Sequence, residues 1–441
     1  MHLRIFLVAC LSAIAPFAAG AGRVASAHGI LLGVDTHVTT GQPHEHQAQL
    51  DVARKIGFNA VRDGFLWQSA EPAKGVYRIP AIWDQYVNEA RQLGLQPLVI
   101  LCYGNKYYDG GDKPRSRRAI RAFVRYATFV VKHFSGRVHY FEIWNEWDTH
   151  AGGFPSGDAR DYAKLFDAVY PAVKEIDPKA VFLASASAGG DNGWYRRIAR
   201  LGIARLADGV SVHPYVYPRQ PNTGSLRVSN EAERSVQQVI NIETTMSRLS
   251  GGKEIPLYIT EIGWPTNVGR LGLPEEASAS LAQRALLMFS ALPYVHGIWW
   301  YDLRDDCSDA ARYLCRFGAV HRNYAFKPAA YAIASVAPLI EHHDLTFSQQ
   351  SNLGAGLIVL KLEVPTPTII AWDAGNPAQH GHAIGLPAYA VSCAPSLRVV
   401  HTAPRAPASD LTISSEPEIF TDGGGHCTRK ALPVPRLTVG Q

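Results

Sequence analysis

An apolar strand runs into a polar pair in the segment Phe141-Glu142-Ile143-Trp144-Asn145-Glu146-Trp147. Desolvation by neighbouring indole rings raises the pKa of a carboxyl group such as that of Glu146. A raised pKa keeps the group protonated near neutrality, as a group that protonates a leaving group must be. A second apolar run, residues 255–260, also ends in a glutamate, Glu261, with Trp264 close behind. Two carboxylates at strand ends beside tryptophan indicate sugar chemistry.

Eight strand-like runs of this kind alternate with helical stretches along the chain. Short apolar runs that end in polar or aromatic residues lie at 29–35, 60–66, 97–103, 138–145, 181–185, 209–213, 257–261 and 297–301. Amphipathic stretches typical of helices lie at 47–56, 82–93, 118–133, 159–176, 231–249, 277–292 and 328–339. The alternation predicts an α/β fold, a (β/α)8 TIM barrel. A doubly wound open sheet is the weaker alternative, because no glycine-rich phosphate loop follows the first strand.

Three regions are predicted: a signal peptide at 1–27, the barrel at 28–342 and a β-sandwich domain at 343–441. The N-terminus has cationic residues, an apolar segment at 5–19 and the small-residue pattern Ala25-Ser26-Ala27, as secretory signals do. The protein is therefore expected in the periplasm or outside the cell. Leu7-Val8-Ala9-Cys10 resembles a lipoprotein cleavage box, so a lipidated or an uncleaved N-terminus stays open as a route to the membrane.

After residue 343 the helical pattern stops. Short strand-like runs at 356–364, 368–374, 388–393, 397–402 and 411–415 are separated by proline, glycine and serine. This spacing predicts the small β-sandwich, packed on the barrel. The cysteines suit an exported chain and predict two local disulfides, Cys307 with Cys315 and Cys393 with Cys427. Cys102 lies in an apolar run and is expected to be a small buried side chain.

The composition of the 441 residues excludes some function classes. The apolar fraction is 47% and the net charge is +5, with basic and acidic residues interspersed. The one dense basic run, 113–118, has no interleaved aromatic surface, so no nucleic-acid partner is expected. We expect a monomer that needs no cofactor and no metal.

Chemically useful side chains recur at the predicted strand ends, where the active site of a barrel lies. In chain order these are Asp35, His37, Arg62, Trp67, Tyr103, Asn145, Glu146, His213, Tyr215, Glu261, Trp264, Trp300 and Asp302.

Two of these strand ends resemble a known clan. Trp144-Asn145-Glu146 and Ile259-Thr260-Glu261-Ile262-Gly263-Trp264 are similar to the acid/base and nucleophile motifs of retaining β-glycosidases with a (β/α)8 barrel. The signal peptide and the added β-domain most resemble glycoside hydrolase family 39. That family includes xylosidases, iduronidases and secreted bacterial enzymes acting on exopolysaccharide. Trp147 departs from the pattern, because many clan members have proline there, and it has no assigned role.

The resemblance and the chemistry imply the same roles for the two glutamates. Glu146 is expected to be the acid/base and Glu261 the nucleophile, with carboxyl groups about 5–5.5 Å apart. Asn145 is expected to form a hydrogen bond with the 2-hydroxyl group of the sugar. Arg62 and Tyr215 are expected to keep Glu261 ionised and oriented.

The remaining strand-end residues are expected to support or bind the sugar. His213 would join the network around Glu261, and Trp300, in preference to Trp299, would form the floor under the sugar ring. Trp67, Tyr103 and Trp264 would line further subsites, while Asp35 and His37 are candidates for substrate contact. Glu142 is expected to lie inside the barrel, paired with a cation such as Arg62.

The leading hypothesis is a secreted, retaining β-glycoside hydrolase that cleaves a polysaccharide, such as a bacterial exopolysaccharide, within the chain. One alternative is a metal-dependent barrel hydrolase with Asp35, His37, His213 and Asp302 as ligands. It is weaker, because the first strand lacks a His-x-His pair. A non-catalytic carbohydrate-binding matrix protein is the other alternative. The sequence does not identify the sugar or the linkage.

Overall fold

Eight parallel strands form a closed barrel in the order of the chain. The computed structural model describes residues 29–39, 45–190, 192–217, 229, 231–348, 351, 353, 357–362, 368–373, 416–422, 427–433, 435 and 437. The barrel strands are β1 (Leu31–Asp35), β2 (Ala60–Leu66), β3 (Gln96–Cys102), β4 (Tyr140–Ile143), β5 (Val181–Ala184), β6 (Gly209–Val212), β7 (Leu257–Ile262) and β8 (Val295–Trp300). Strand β1 pairs with β8 and closes the barrel. The predicted barrel is confirmed.

Helices surround the strands. They are α1 (His46–Ile56), α2 (Trp67–Ala70), α3 (Ala81–Gln92), α4 (Arg117–Phe134), α5 (Ala159–Ile176), α6 (Asn192–Arg200), α7 (Ile203–Leu206), α8 (Ala232–Leu249), α9 (Glu275–Ser290) and α10 (Pro328–His342). Seven of them match the predicted amphipathic stretches. Helices α2, α6 and α7 were not predicted, because α2 and α7 are single turns and α6 is short, with three arginines among its nine residues.

Side chains of successive residues point alternately into the barrel and out toward the helices. The barrel interior is a buried cluster that includes Leu98, Tyr258 and Trp299. The Trp299 ring fills this interior so closely that a Cβ on Gly33 would lie 2.1 Å from its Nε1 atom. Trp300 belongs instead to the larger core between strands and helices. The two tryptophans therefore occupy opposite faces of β8.

The C-terminal region contains a five-stranded antiparallel sheet. Its strands are β9 (Leu345–Phe347), β10 (Leu357–Leu362), β11 (Thr368–Asp373), β12 (Glu418–Asp422) and β13 (Cys427–Ala431), in the order β13-β12-β11-β10-β9. Strands β10 and β11 were predicted, whereas β9, β12 and β13 were not. The runs predicted at 388–393, 397–402 and 411–415 lie outside the described residues. The sheet contacts the barrel where Trp372 Nε1 donates to Glu233 Oε1 of α8 at 3.3 Å.

The described cysteines agree with the sequence. Cys307 and Cys315 form a disulfide, and Cys102 is a buried free thiol. The second predicted disulfide involves Cys393, which lies outside the described residues. The signal segment at 1–27 also lies outside them. No helix among the residues described is long and apolar enough to cross a membrane.

Candidate active site

An open cleft lies at the carboxyl ends of the barrel strands, where the sequence predicts the active site. Its volume is about 1160 Å³. Residues from the ends of β1, β2, β3, β4, β7 and β8, and from the loops beyond β6, line it. Both predicted catalytic glutamates, Glu146 and Glu261, face this space.

Glu146 projects from a tight turn after β4. Trp144 and Glu146 have φ angles of 72° and 45°, a left-handed conformation that is uncommon outside glycine. The Trp144 side chain is fully buried and packs edge-on against Trp147, with ring centroids 5.1 Å apart. The turn anchors its tryptophans in the core and leaves the Glu146 carboxyl at the cleft wall.

The Glu146 carboxyl is nearly buried, with 13% of its side chain exposed. Oε1 lies 2.7 Å from His213 Nδ1, and Oε2 accepts a hydrogen bond from Thr149 Oγ1 at 3.2 Å. Burial raises the pKa of Glu146 to about 7, although Thr149 and the charge of Arg62 act in the opposite direction. The environment therefore favours a carboxylic acid up to neutral pH.

Glu261, at the end of β7, has different neighbours. Its Oε1 accepts a hydrogen bond from Arg62 Nη1 at 2.9 Å. Its Oε2 lies 3.5 Å from the Tyr215 hydroxyl and 3.6 Å from His213 Nδ1. Both neighbours donate hydrogen bonds to the Glu261 carboxyl group, which fixes its orientation in the cleft.

Arg62 connects the site through one buried guanidinium group. It donates to Asp35 Oδ1 at 2.9 Å, to Glu142 Oε2 at 3.0 Å and to Asn145 Oδ1 at 2.7 Å, besides Glu261. The structure thus has the predicted pair of Glu142 with Arg62. Since Asn145 Oδ1 accepts from Arg62, its amide nitrogen is the donor end, and it lies 3.2 Å from the Tyr103 hydroxyl.

His213 lies between the two glutamates. Carboxylate oxygens of Glu146 and Glu261 and a ring nitrogen of His213 all lie within 4.8 Å of one another. Burial lowers the pKa of His213, which favours the neutral imidazole. Its Nε2 lies 3.0 Å from Thr260 Oγ1. When Nε2–H donates to Thr260 Oγ1, Nδ1 of the neutral His213 can accept a hydrogen bond from the acid form of Glu146.

An acidic corner of the cleft, comprising Asp35, His37, Asp302 and Asp306, lies between β1 and the segment after β8. His37 Nδ1 lies 2.8 Å from Asp306 Oδ1 and 3.9 Å from Asp302 Oδ2. Burial lowers the pKa of His37, but the hydrogen bond to Asp306 and the charges of Asp306, Asp302 and Asp63 together outweigh it and raise the pKa to about 10. Asp35 Oδ2 and Asp302 Oδ1 are buried and have no hydrogen-bond partner among the residues described.

Three tryptophans predicted to contact substrate are buried away from the cleft. Trp67 packs on Tyr108 and donates through Nε1 to Glu71 Oε2 at 2.7 Å. Trp264 donates through Nε1 to the carbonyl of Ser229 at 3.0 Å, and Trp300 packs against it in the outer core. These three placements were wrong, because apolar packing behind the strand ends competes for the same residue type.

Besides the predicted Tyr103, the cleft is lined by aromatic residues that the sequence did not single out. Phe154 and the predicted Tyr103 lie on the side of β3 and β4, while Tyr217, Tyr301 and Phe317 lie on the side of β6 to β8. Tyr301 follows Trp300 directly. The sequence thus predicted the correct strand end, but the residue that lines the cleft is the one after the predicted Trp300. Phe317 comes just after the disulfide of Cys307 and Cys315, in a loop without a strand or helix pattern.

The metal-site alternative does not match the geometry of the described residues. His213 clusters with Glu146 and Glu261, whereas His37 and Asp302 cluster with Asp306. The four candidate ligands thus do not come together, since His213 lies apart from His37 and Asp302, and Asp35 belongs to neither cluster.

Comparison with known proteins supports the fold. No protein-family model and no curated protein matches the sequence. Among solved structures, a family 39 glycoside hydrolase from Bacteroides cellulosilyticus WH2 matches with a TM-score of 0.69 and 24% identity, over 89% of this chain and 80% of that chain. The described fold is thus similar to that of a family 39 enzyme.

Two further structures give the same result. A GH39 enzyme from Xanthomonas axonopodis pv. citri matches with a TM-score of 0.58 and 18% identity, over 79% of this chain and 73% of that chain. A monomeric β-xylosidase from Caulobacter crescentus CB15 matches with a TM-score of 0.58 and 17% identity, over 82% of this chain and 76% of that chain. At these identities the likeness concerns the fold, and the function must be argued from the site.

Proposed function

We propose that this chain is a retaining β-glycoside hydrolase that uses Glu146 and Glu261 for double displacement. The observation that carries the proposal is the pair itself. A carboxylate oxygen of each glutamate lies within 4.8 Å of the other's in an open cleft. Retaining enzymes place their carboxyl groups about 5–5.5 Å apart, whereas inverting enzymes leave about 6.5–9.5 Å for a water molecule.

In the first step Glu146 acts as the general acid. Its pKa of about 7 means that a large fraction carries a proton at neutral pH. As the bond between the anomeric carbon and the glycosidic oxygen breaks, Glu146 donates that proton to the leaving oxygen. Glu261 attacks the anomeric carbon from the opposite face and forms a covalent glycosyl-enzyme.

In the second step Glu146, now a carboxylate, acts as the general base. It removes a proton from water, the water oxygen bonds to the anomeric carbon, and the bond to Glu261 breaks. The product keeps the β configuration and both glutamates regain their starting states. Because each displacement inverts the anomeric carbon, two displacements give net retention.

Neighbouring groups are expected to hold the sugar in place. The Asn145 amide nitrogen is the donor end of its side chain, as a bond to the sugar 2-hydroxyl requires. Asp35 and His37 also line the cleft and are proposed to contact further hydroxyls of the same ring. Arg62 fixes Glu261, Asp35 and Asn145 relative to one another, so the ring is held against a preorganised frame.

The proposed substrate is a polysaccharide cut within its chain. The cleft, at about 1160 Å³, exceeds the roughly 300–1,000 Å³ of ordinary small-molecule pockets. Aromatic residues line both sides of the glutamate pair, which suits sugars bound on either side of the cleavage point. The secretory pattern at 1–27 adds export, so an extracellular polysaccharide such as a bacterial exopolysaccharide is the proposed target. Two of the similar structures are of family 39 enzymes and a third is a β-xylosidase, which supports the reaction class.

The test is a screen of the purified protein against bacterial exopolysaccharides and aryl β-glycosides, with mass analysis of the products. Endo cleavage predicts a ladder of oligosaccharides, whereas exo action releases single sugars. Glu261→Gln should abolish turnover. Glu146→Ala should keep activity on dinitrophenyl glycosides, and added azide should yield a β-glycosyl azide.

Glu276→Gln provides the matched control, because Glu276 is an exposed carboxylate on the outer helix α9. It should behave like the wild type. An α-configured azide product, or full activity in Glu261→Gln, would contradict the assignment of the two roles.

A further inference from the structure

Lys113 is a buried cation beside the site that has no role in the chemistry above. Its side chain is fully buried, and Nζ donates to the carbonyls of Thr149 at 3.2 Å and Pro155 at 2.6 Å. Within the described part of the chain no carboxylate lies within 4.0 Å of its ammonium group, although Arg115 nearby is paired with Asp112. Its contacts therefore go to the backbone of one segment, residues 147–157, which we name the acid/base loop.

The acid/base loop closes on Trp147. Gly157 N–H donates to the Trp147 carbonyl at 2.9 Å, and Trp147 Nε1 donates to the carbonyl of Asp158 at 3.0 Å. A Cβ on Gly157 would lie 2.2 Å from Trp147 Nε1, so only glycine fits there. Lys113 Nζ lies 6.0 Å from the centre of the Trp147 ring and 5.7 Å from that of Phe154. Trp147 thus supports the loop from inside, and Lys113 links its two ends through the carbonyl groups of Thr149 and Pro155.

Thr149 connects the lysine to Glu146. Its carbonyl accepts from Lys113, while its hydroxyl donates to Glu146 Oε2 at 3.2 Å. One residue therefore separates the ammonium group from the acid/base carboxyl. Glu146 itself has a φ of 45°, and a non-glycine residue in this conformation persists only where its surroundings hold it.

Stability alone does not explain a cation at this position. Burial lowers the pKa of Lys113 to about 8, even though the charges of Asp112 and Asp148 act against the change. A lowered lysine pKa means that the folded protein disfavours the charged form. An apolar side chain of similar length would avoid that penalty, as replacements of buried charges often do.

We propose that Lys113 is a positioning residue for Glu146. Lys113 holds the acid/base loop in place, so that Thr149 and His213 keep the Glu146 carboxyl group pointing into the cleft. The inference rests on the proposed function of Glu146. It accounts for a charge that is buried against carbonyl groups, and it gives Trp147 a role as the support of the same loop.

The test compares Lys113→Met with the wild type on aryl β-glycosides of the sugar that the wild type hydrolyses. Phenyl glycosides need a general acid, whereas dinitrophenyl glycosides do not. Lys113→Met should lower kcat/KM about tenfold or more on the phenyl substrate, since a well-placed general acid contributes about 10²–10⁴-fold. On the dinitrophenyl substrate it should change little. The alkaline limb of the phenyl profile should also move to lower pH, because a loosened loop admits water to Glu146.

Lys174→Met is the matched control. Lys174 also donates to a backbone carbonyl, that of Ala180 at 2.8 Å, but it lies on the outer helix α5. It should leave both the ratio of the two rates and the pH limb unchanged. Should Lys113→Met fail to fold, Lys113→Gln carries the same comparison.

Equal losses of kcat/KM on the two substrates, or an unchanged alkaline limb of the pH profile, would overturn the positioning role of Lys113 while leaving the proposed function intact. A wild type that hydrolyses nothing in the screen would instead refute the proposed function, and the role of Lys113 with it. Trapping Glu261 with a 2-fluoro glycoside separates the cases further, because the label should still form in Lys113→Met when the leaving group is dinitrophenolate.

Discussion

Raising the pH through neutrality should remove the general acid, and the structure sets where this happens. Burial raises the pKa of Glu146 to about 7. The acid form is then about half of the enzyme at pH 7 and about one hundredth of it at pH 9. On phenyl β-glycosides, kcat/KM should therefore drop about fiftyfold between pH 7 and pH 9. The assay is kcat/KM from pH 5 to pH 9 for phenyl and dinitrophenyl glycosides of the same sugar.

The dinitrophenyl substrate is the internal control, because its leaving group departs without a proton. Its profile should lack the limb near pH 7, and Glu146→Gln should lack it on both substrates. A limb for the phenyl glycoside near pH 4.5, the ordinary range of a glutamate, would show that Glu146 is not desolvated as the structure indicates. An unchanged limb in Glu146→Gln would assign it to another group.

The same pKa affects stability, and the sign follows from linkage. A carboxyl pKa that is raised on folding stabilises the protein below the pKa of the unfolded chain, 4.5, and this stabilisation is lost as pH rises to about 7. The full change is about 3 kcal/mol, as an upper estimate. Urea unfolding of Glu146→Gln should thus show a stability gain over the wild type that grows between pH 4.5 and pH 7. A constant difference across that range would contradict the buried-acid reasoning.

Three further variants test the Arg62 network, the Tyr215 contact and the disulfide. Arg62→Met should destabilise the protein by about 3–5 kcal/mol in urea unfolding, because the buried carboxylates lose their cation. It should also abolish turnover at Glu261. A variant of normal stability would contradict the role of Arg62 as the shared partner of these carboxylates. Tyr215→Phe should lower kcat/KM less than about tenfold, since its contact with Glu261 is long at 3.5 Å, and a larger loss would mean that the contact shortens with substrate bound. Replacing Cys307 and Cys315 by serine should cost about 2–3 kcal/mol in thermal unfolding for an eight-residue separation, and no change in Tm would contradict that estimate.

The barrel could be predicted from the sequence because buried parallel strands appear as short continuous apolar runs. The alternation of side chains along a strand also places the charged residues Glu142 and Arg62 inside the barrel. Arg62 on β2 and Glu142 on β4, the two strands that flank β3, both point into the barrel, and the predicted pair is present at 3.0 Å. The same alternation of side chains decides which tryptophan of β8 faces the barrel interior. Trp299 shares the interior face with Gly297, so Trp300 must face the helices, and Tyr301 is the residue that reaches the cleft.

Other features depend on contacts between distant segments and leave no local pattern. Lys113 reaches the acid/base loop across 36 positions to Thr149, and the basic run around it resembles an ordinary surface helix start. Trp147 had no role in the sequence because its partners, Gly157 and the Asp158 carbonyl, are assembled only when the loop closes. The C-terminal strand β12 was missed since its apolar alternation is short and is flanked by proline and glycine.

The most direct test of the central claim is mass spectrometry of the enzyme after reaction with a dinitrophenyl 2-deoxy-2-fluoro-β-glycoside of the sugar that the screen identifies. The fluorine slows both steps, and the good leaving group lets the glycosyl-enzyme accumulate. Double displacement predicts one added glycosyl unit per chain, located on Glu261 in the digest and absent in Glu261→Gln. A label on any other residue, or unlabelled enzyme that still hydrolyses the parent substrate with inversion, would contradict it.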